Sequence, residues 1–115
     1  MLDTHAGPSA LDYVIVALCG ELDLVSAPST ARILQAAVAP QLRIIVDLTE
    51  VAFIDCSGVH ELISARAQVE QAGGALLLTG LQPIVRRVLS LLELIGPLPI
   101  FASAEQAING YQKVG

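Results

Sequence analysis

The chain has 115 residues, enough for one compact domain, and just over half of them are apolar. Its formal net charge of −5 argues against nucleic-acid binding, because phosphate contacts need clustered Lys and Arg. It has no apolar run of roughly 18 residues or more, no signal-peptide pattern and only two cysteines, so we expect a cytoplasmic protein without direct membrane insertion.

The first part of the chain predicts two elements after a polar lead-in. Residues 1–12 are expected to form a short edge strand or a loose N-terminal segment. The apolar run at 13–22 is typical of a strand covered on both faces. Ser26 is the expected N-cap of a first helix that Pro40 ends. The apolar stripe of this helix is Ala27, Ala31, Leu34 and Val38.

A second strand and a second helix follow. Residues 43–48 predict a central strand, and residues 55–72 predict a helix that ends at the Gly73-Gly74 pair. The buried stripe of this helix is expected to be Val59, Leu62, Ile63 and Val69.

The last part of the chain continues the alternation. Residues 75–79 predict a third buried strand, and a third helix opens at 82–83 with an apolar inner face. That face is Val85, Val88, Leu89 and Leu92. Residues 98–101 predict an edge strand because they contain a proline, and the capping box at 103–106 predicts a final helix to about 112. The whole pattern predicts one α/β domain over 1–115, with a largely parallel, mixed sheet of four to five strands and about four helices.

The connection into the second helix carries the residues with the most chemistry. Asp55, Cys56 and Ser57 follow an apolar strand and start the helix directly. A helix start has free N–H groups and a positive dipole end, so a phosphate on Ser57 would find hydrogen-bond donors there. The same position also suits a serine that only caps the helix, and the local sequence alone favours that role.

Short motifs in this order resemble the sulphate transporter and anti-sigma factor antagonist domain, the STAS domain. The motifs are GELD at 20–23, DL at 47–48, FIDCSG at 53–58 and AGG at 72–74. Each motif alone is weakly specific, but together they span nearly the whole chain. The sequence is most similar to the bacterial anti-sigma factor antagonists.

The resemblance implies a phosphorylation switch. Antagonists of this family bind an anti-sigma factor that is also a serine kinase, and this binding frees a sigma factor. The kinase phosphorylates a hydroxyl residue at the start of the second helix, which releases the antagonist, and a phosphatase resets the cycle. By position, Ser57 is the phosphate acceptor. The family usually has two hydroxyl residues between the motif's Asp and Gly, whereas here the first of these positions is Cys56.

The partner is expected to contact the start of the second helix and the loop before the first helix. The expected contact residues are Asp23, Asp55, Cys56, Gly58, Val59 and His60. Asp23 is equally well read as a turn residue that stabilises its loop, and Asp55 as a structural cap. Gly58 either leaves room for the partner's backbone or meets a demand of the local chain geometry.

Other functions stay open at this point, as does the oligomeric state. One is a STAS protein that is never phosphorylated, acting as a scaffold or as a cytoplasmic accessory subunit of a membrane transporter. Another is a small enzyme that uses Cys56 and Ser57, but the chain has no P-loop, dinucleotide-binding glycine motif or nucleophile elbow, so we expect no catalysis and no cofactor. A metal site, which we do not expect, would need the fold to gather Glu21, Asp23, Asp47 and Asp55.

Overall fold

The computed structural model describes residues 2–5, 12–92 and 98–110, and these form five strands and four helices. The elements are β1 (Leu2–His5), β2 (Asp12–Leu22), α1 (Ala27–Ala37), β3 (Leu42–Ile54), α2 (Cys56–Gln71), β4 (Ala75–Thr79), α3 (Pro83–Leu91), β5 (Ile100–Phe101) and α4 (Ala104–Gly110). None of the helices in these described ranges is long and apolar enough to cross a membrane. The end predicted for the last helix, at about 112, lies outside the described residues.

The five strands form one sheet in the order β1-β2-β3-β4-β5. The edge strand β1 runs antiparallel to β2, and the remaining neighbours are parallel, which confirms the predicted mixed α/β fold. At the carboxyl end of the central pair, Leu22 of β2 lies opposite Ile54 of β3. The loop that follows β2 and the helix that follows β3 therefore start side by side, at the carboxyl ends of these two strands.

The two faces of the sheet pack against different helices, because successive side chains of a strand point to opposite faces. Ile44 and Val46 of β3 belong to the larger core, which α1, α2 and α3 cover. Ile45 belongs to a smaller core, which α4 covers. The smaller core consists of Tyr13, Ile45, Ala75, Leu77 and Ala107.

The second predicted strand is longer than expected. β3 continues to Ile54 instead of ending at Leu48, because its last residues still pair with the end of β2. That pairing is irregular, with register shifts between Ala17 and Cys19 and between Gly20 and Glu21. Because of this irregularity, the residues of β3 after Leu48 do not show a regular apolar pattern in the sequence.

Two residues predicted to be buried in helices are exposed instead. Ile63 of α2 is 42% exposed, and Ala65 is buried in its place. Residues 62, 65 and 69 follow the helical spacing of a single stripe, whereas residue 63 is rotated by about 100° from its neighbour at 62. Leu92, predicted on the inner face of the third helix, lies just after α3 and is exposed. Gly73 has a φ of +85°, which confirms the glycine exit from α2.

Arg43 is a buried cation that the sequence did not reveal. The residue is 1% exposed and lies in β3 beneath α4. Its Nη1 donates a hydrogen bond to the Ile108 carbonyl oxygen at 3.3 Å, and its guanidinium lies 5.5 Å from the centre of the Tyr13 ring. These contacts link the last helix to the sheet.

Candidate functional site

Asp55 is the N-cap of α2. Its backbone is extended, and its Oδ1 accepts hydrogen bonds from the Ser57 N–H at 2.8 Å and the Gly58 N–H at 3.2 Å. The structure therefore confirms Asp55 as a cap. It also shows that two of the N–H groups we expected to meet a phosphate already donate to a carboxylate.

Ser57 lies in the first turn of α2, where it is half-buried and lines an open groove of about 350 Å³. The described residues that line this groove are Leu24, Ala27, Cys56, Ser57, His60 and Glu61. The groove joins the loop after β2 to the outer side of the α2 start. Ser57 is therefore at the molecular surface and not sealed within the core.

The loop after β2 is held by its own hydrogen bonds. The Asp23 N–H donates to Ser26 Oγ, and the Ser26 N–H donates to Asp23 Oδ1, both at 3.0 Å. Ser26 Oγ also donates to the Glu21 carbonyl oxygen at 2.6 Å. Asp23 is therefore a turn-stabilising residue, as one of its two interpretations predicted. Ser26 occupies the N-cap position of α1, but its side chain bonds to the preceding loop and not to a helical N–H.

The loop and the α2 start are tied together through Leu22. The Asp55 N–H donates to the Leu22 carbonyl oxygen at 3.0 Å. Gly58 is buried against the same residue, and a Cβ at position 58 would lie only 2.2 Å from that oxygen. A glycine is thus required for α2 to approach β2, which explains Gly58 by internal packing.

The structure brings together most, but not all, of the predicted contact residues. Cys56 and His60 are exposed, while Asp23 and Asp55 are half-buried. Gly58 and Val59 are buried, and Val59 belongs to the larger core. The prediction that Val59 contacts a partner is therefore wrong for its side chain, because this side of α2 faces the sheet. The sequence did not mark Leu24 and Val25, which lie in the loop after β2 and are both highly exposed.

The acidic residues considered for a metal site do not form one. Within residues 2–5, 12–92 and 98–110, no group of three or more His, Cys, Asp or Glu side chains could hold a metal ion. Asp47 instead accepts a hydrogen bond from the Thr49 N–H at 2.9 Å. Cys19 and Cys56 are both exposed free thiols.

Comparison with known families identifies the domain. Residues 3–107 match the family model of the STAS domain. The chain belongs to the STAS family. A search of curated protein sequences finds no match.

Solved structures with the same fold include antagonists and a transporter. An anti-sigma factor antagonist from Mycobacterium paratuberculosis is 22% identical, with a TM-score of 0.78 over 96% of this STAS chain and 92% of that chain. The phosphorylated form of the Bacillus cell fate determinant SpoIIAA is 25% identical, with a TM-score of 0.61 over 96% and 98% of the respective chains. The murine Slc26a9 anion transporter is 18% identical, with a TM-score of 0.74, and the match covers 89% of this chain but 18% of the transporter.

Proposed function

We propose that this STAS domain is an anti-sigma factor antagonist of the cytoplasm. It binds an anti-sigma factor that is also a serine kinase, and this binding releases a sigma factor. Phosphorylation of Ser57 ends the binding, and a phosphatase restores it. The protein is the substrate of these reactions and not itself a catalyst. Membership of the STAS family supports this proposal, as does likeness to two anti-sigma factor antagonists, SpoIIAA and the protein from Mycobacterium paratuberculosis.

The position of Ser57 carries the proposal. The residue lines an open groove, and its backbone N–H is fixed by the Asp55 carboxylate at 2.8 Å. Ser57 is the only hydroxyl residue in the DCSG motif at 55–58, since the preceding position is the exposed Cys56. A serine kinase that docks on this groove therefore has one acceptor within the motif.

The charge of the phosphate explains how release follows. Phosphorylation adds a charge of about −1.5 to −2 and three strong acceptor oxygens. Asp55 already holds the N–H groups of Ser57 and Gly58, so the phosphate has to displace this carboxylate or remain beside it. Either arrangement concentrates negative charge at the contact surface of a domain with a net charge of −5. A partner that covers Ser57 then has to remove water from this concentrated charge, and the cost of desolvation weakens the interface without any change of fold.

A phosphotransfer experiment tests this function. Purified anti-sigma factors with kinase motifs, taken from the same genome, are incubated with the protein and ATP. We expect label at Ser57, and we expect the Ser57→Ala variant to lose the label while it retains kinase binding. Ser64→Ala is the matched control, because Ser64 is a half-buried serine of the same helix. Failure of every kinase to label the protein, or label that persists in Ser57→Ala, contradicts the proposal.

The second candidate is a STAS scaffold or transporter accessory subunit that is never phosphorylated. The likeness of this chain to part of the murine anion transporter favours it. This alternative predicts that Ser57→Ala and Ser57→Glu bind the partner as tightly as the wild type does. The antagonist proposal predicts that Ser57→Glu binds the kinase more weakly.

A further inference from the structure

We propose that Leu24 and Val25 form an apolar anchor that inserts into the partner, and that the partner's matching pocket is flanked by Lys or Arg side chains. This proposal rests on the antagonist function and adds the chemistry of the surface that the partner must present.

Exposure of these two side chains is the first argument. Leu24 is 74% exposed and Val25 is 89% exposed, the highest value among the large apolar side chains in the described part of the chain. Two adjacent side chains of this kind leave apolar area in water that a partner could cover.

The second argument is that the anchor is already held in shape. The turn that carries it is closed by the reciprocal hydrogen bonds between Asp23 and Ser26 and by the bond from Ser26 to Glu21. A partner therefore does not have to order this loop when it binds, and ordering is a major cost of association. An exposed apolar turn that is already ordered therefore offers area for burial at little ordering cost.

The anchor is continuous with the modification site. Leu24 and Ser57 line the same groove, and the loop and α2 are joined by the Asp55 N–H bond to Leu22. A protein that covers Leu24 must therefore also approach Ser57. A phosphate on Ser57 would therefore lie in the same groove as the anchor.

The charges around the groove indicate a basic partner. Glu61 lines the groove and Glu21 is exposed beside the loop, whereas no Lys or Arg is among the described groove residues. None of the described arginines lines the groove. Arg43 is buried under α4, Arg66 pairs with Glu70 at 3.1 Å, Arg32 donates a hydrogen bond to Ser29 within α1, and Arg86 and Arg87 lie in α3. A second copy of this chain would bring another net charge of −5 to an acidic surface, so a basic protein surface fits better.

The test is a binding titration with the anti-sigma factor that phosphorylates Ser57. Leu24→Ala is compared with Leu91→Ala, which is the matched control because Leu91 is also 74% exposed but lies at the end of α3. We expect Leu24→Ala to weaken binding by about 10- to 100-fold, and Leu91→Ala to change it by less than about twofold. Val25→Ala provides a second variant, and thermal melting confirms that each variant is folded.

The outcomes separate the two proposals. If the wild type binds the kinase and neither Leu24→Ala nor Val25→Ala weakens binding, the anchor is refuted while the antagonist function stands. If the wild type binds no anti-sigma factor, the antagonist function is refuted. The proposal that an anti-sigma factor covers the anchor is then refuted as well. If the affinity does not fall as the salt concentration rises, the proposal that Lys or Arg side chains flank the partner's pocket is refuted. Sedimentation that shows a wild-type dimer lost in Leu24→Ala identifies a second copy as the occupant, which also overturns the proposal.

Discussion

Replacement of Asp55 by alanine removes the cap that fixes the start of α2. The Asp55 carboxylate accepts from two backbone N–H groups, at 2.8 Å from Ser57 and 3.2 Å from Gly58. Loss of an N-cap side chain typically costs about 1 kcal/mol. Gly58 is buried, so its N–H is left without an acceptor in a position with little water, and this adds about 1 kcal/mol. We therefore expect Asp55→Ala to lower the free energy of unfolding by about 2 kcal/mol.

Asp55→Asn separates the hydrogen bonds from the charge. The amide oxygen can still accept from both N–H groups, but it lacks the negative charge that favours a helix N-terminus. That electrostatic part is typically worth about 0.3–1 kcal/mol. We expect Asp55→Asn to lose about 0.5 kcal/mol, and the gap between this variant and the wild type should narrow at high salt.

Urea unfolding followed by circular dichroism measures both losses. Typical slopes for a domain of this size translate 2 kcal/mol into a fall in the unfolding midpoint of roughly 1 M urea. An unchanged slope would show that stability, and not the compactness of the unfolded chain, has changed. If Asp55→Ala stayed within about 0.3 kcal/mol of the wild type, the cap would not stabilise the helix start as the geometry requires.

Two further predictions test the packing around the site. Gly58→Ala should lower the free energy of unfolding by about 2–3 kcal/mol, because the new Cβ would overlap the Leu22 carbonyl oxygen; a loss of less than about 1 kcal/mol in chemical denaturation would refute the close approach. In α2, Leu62→Ala should cost about 2–5 kcal/mol and Ile63→Ala about 1 kcal/mol or less, since Leu62 is buried and Ile63 is 42% exposed. Equal losses for these two variants would show that the helix face is misassigned.

The sequence was sufficient to predict the order of elements, because their signals are local. Buried strands appear as short apolar runs. The Gly73-Gly74 pair predicts the end of the helix, and Gly73 has the positive φ that this exit requires. The position of Asp55 before the second helix was enough to predict its role as a cap. Such features depend on residues close together in the chain.

The parts that the sequence did not predict depend on contacts between distant residues. The burial of Arg43 depends on α4, which contributes the Ile108 carbonyl oxygen from far along the chain. The need for glycine at position 58 depends on Leu22 in another strand. The exposure of Leu24 and Val25 was also missed, because apolar residues in a loop do not reveal whether the folded chain covers them.

The most direct test of the phosphorylation switch is a comparison of two affinities. The protein is purified with Ser57 unmodified and with Ser57 fully phosphorylated, and each form is titrated with the same anti-sigma factor. The proposal predicts that the unmodified form binds at least about 10-fold more tightly, because a phosphate with a charge of about −1.5 to −2 beside the Asp55 carboxylate has to lose its water when the partner covers it. Equal affinities of the two forms would contradict it.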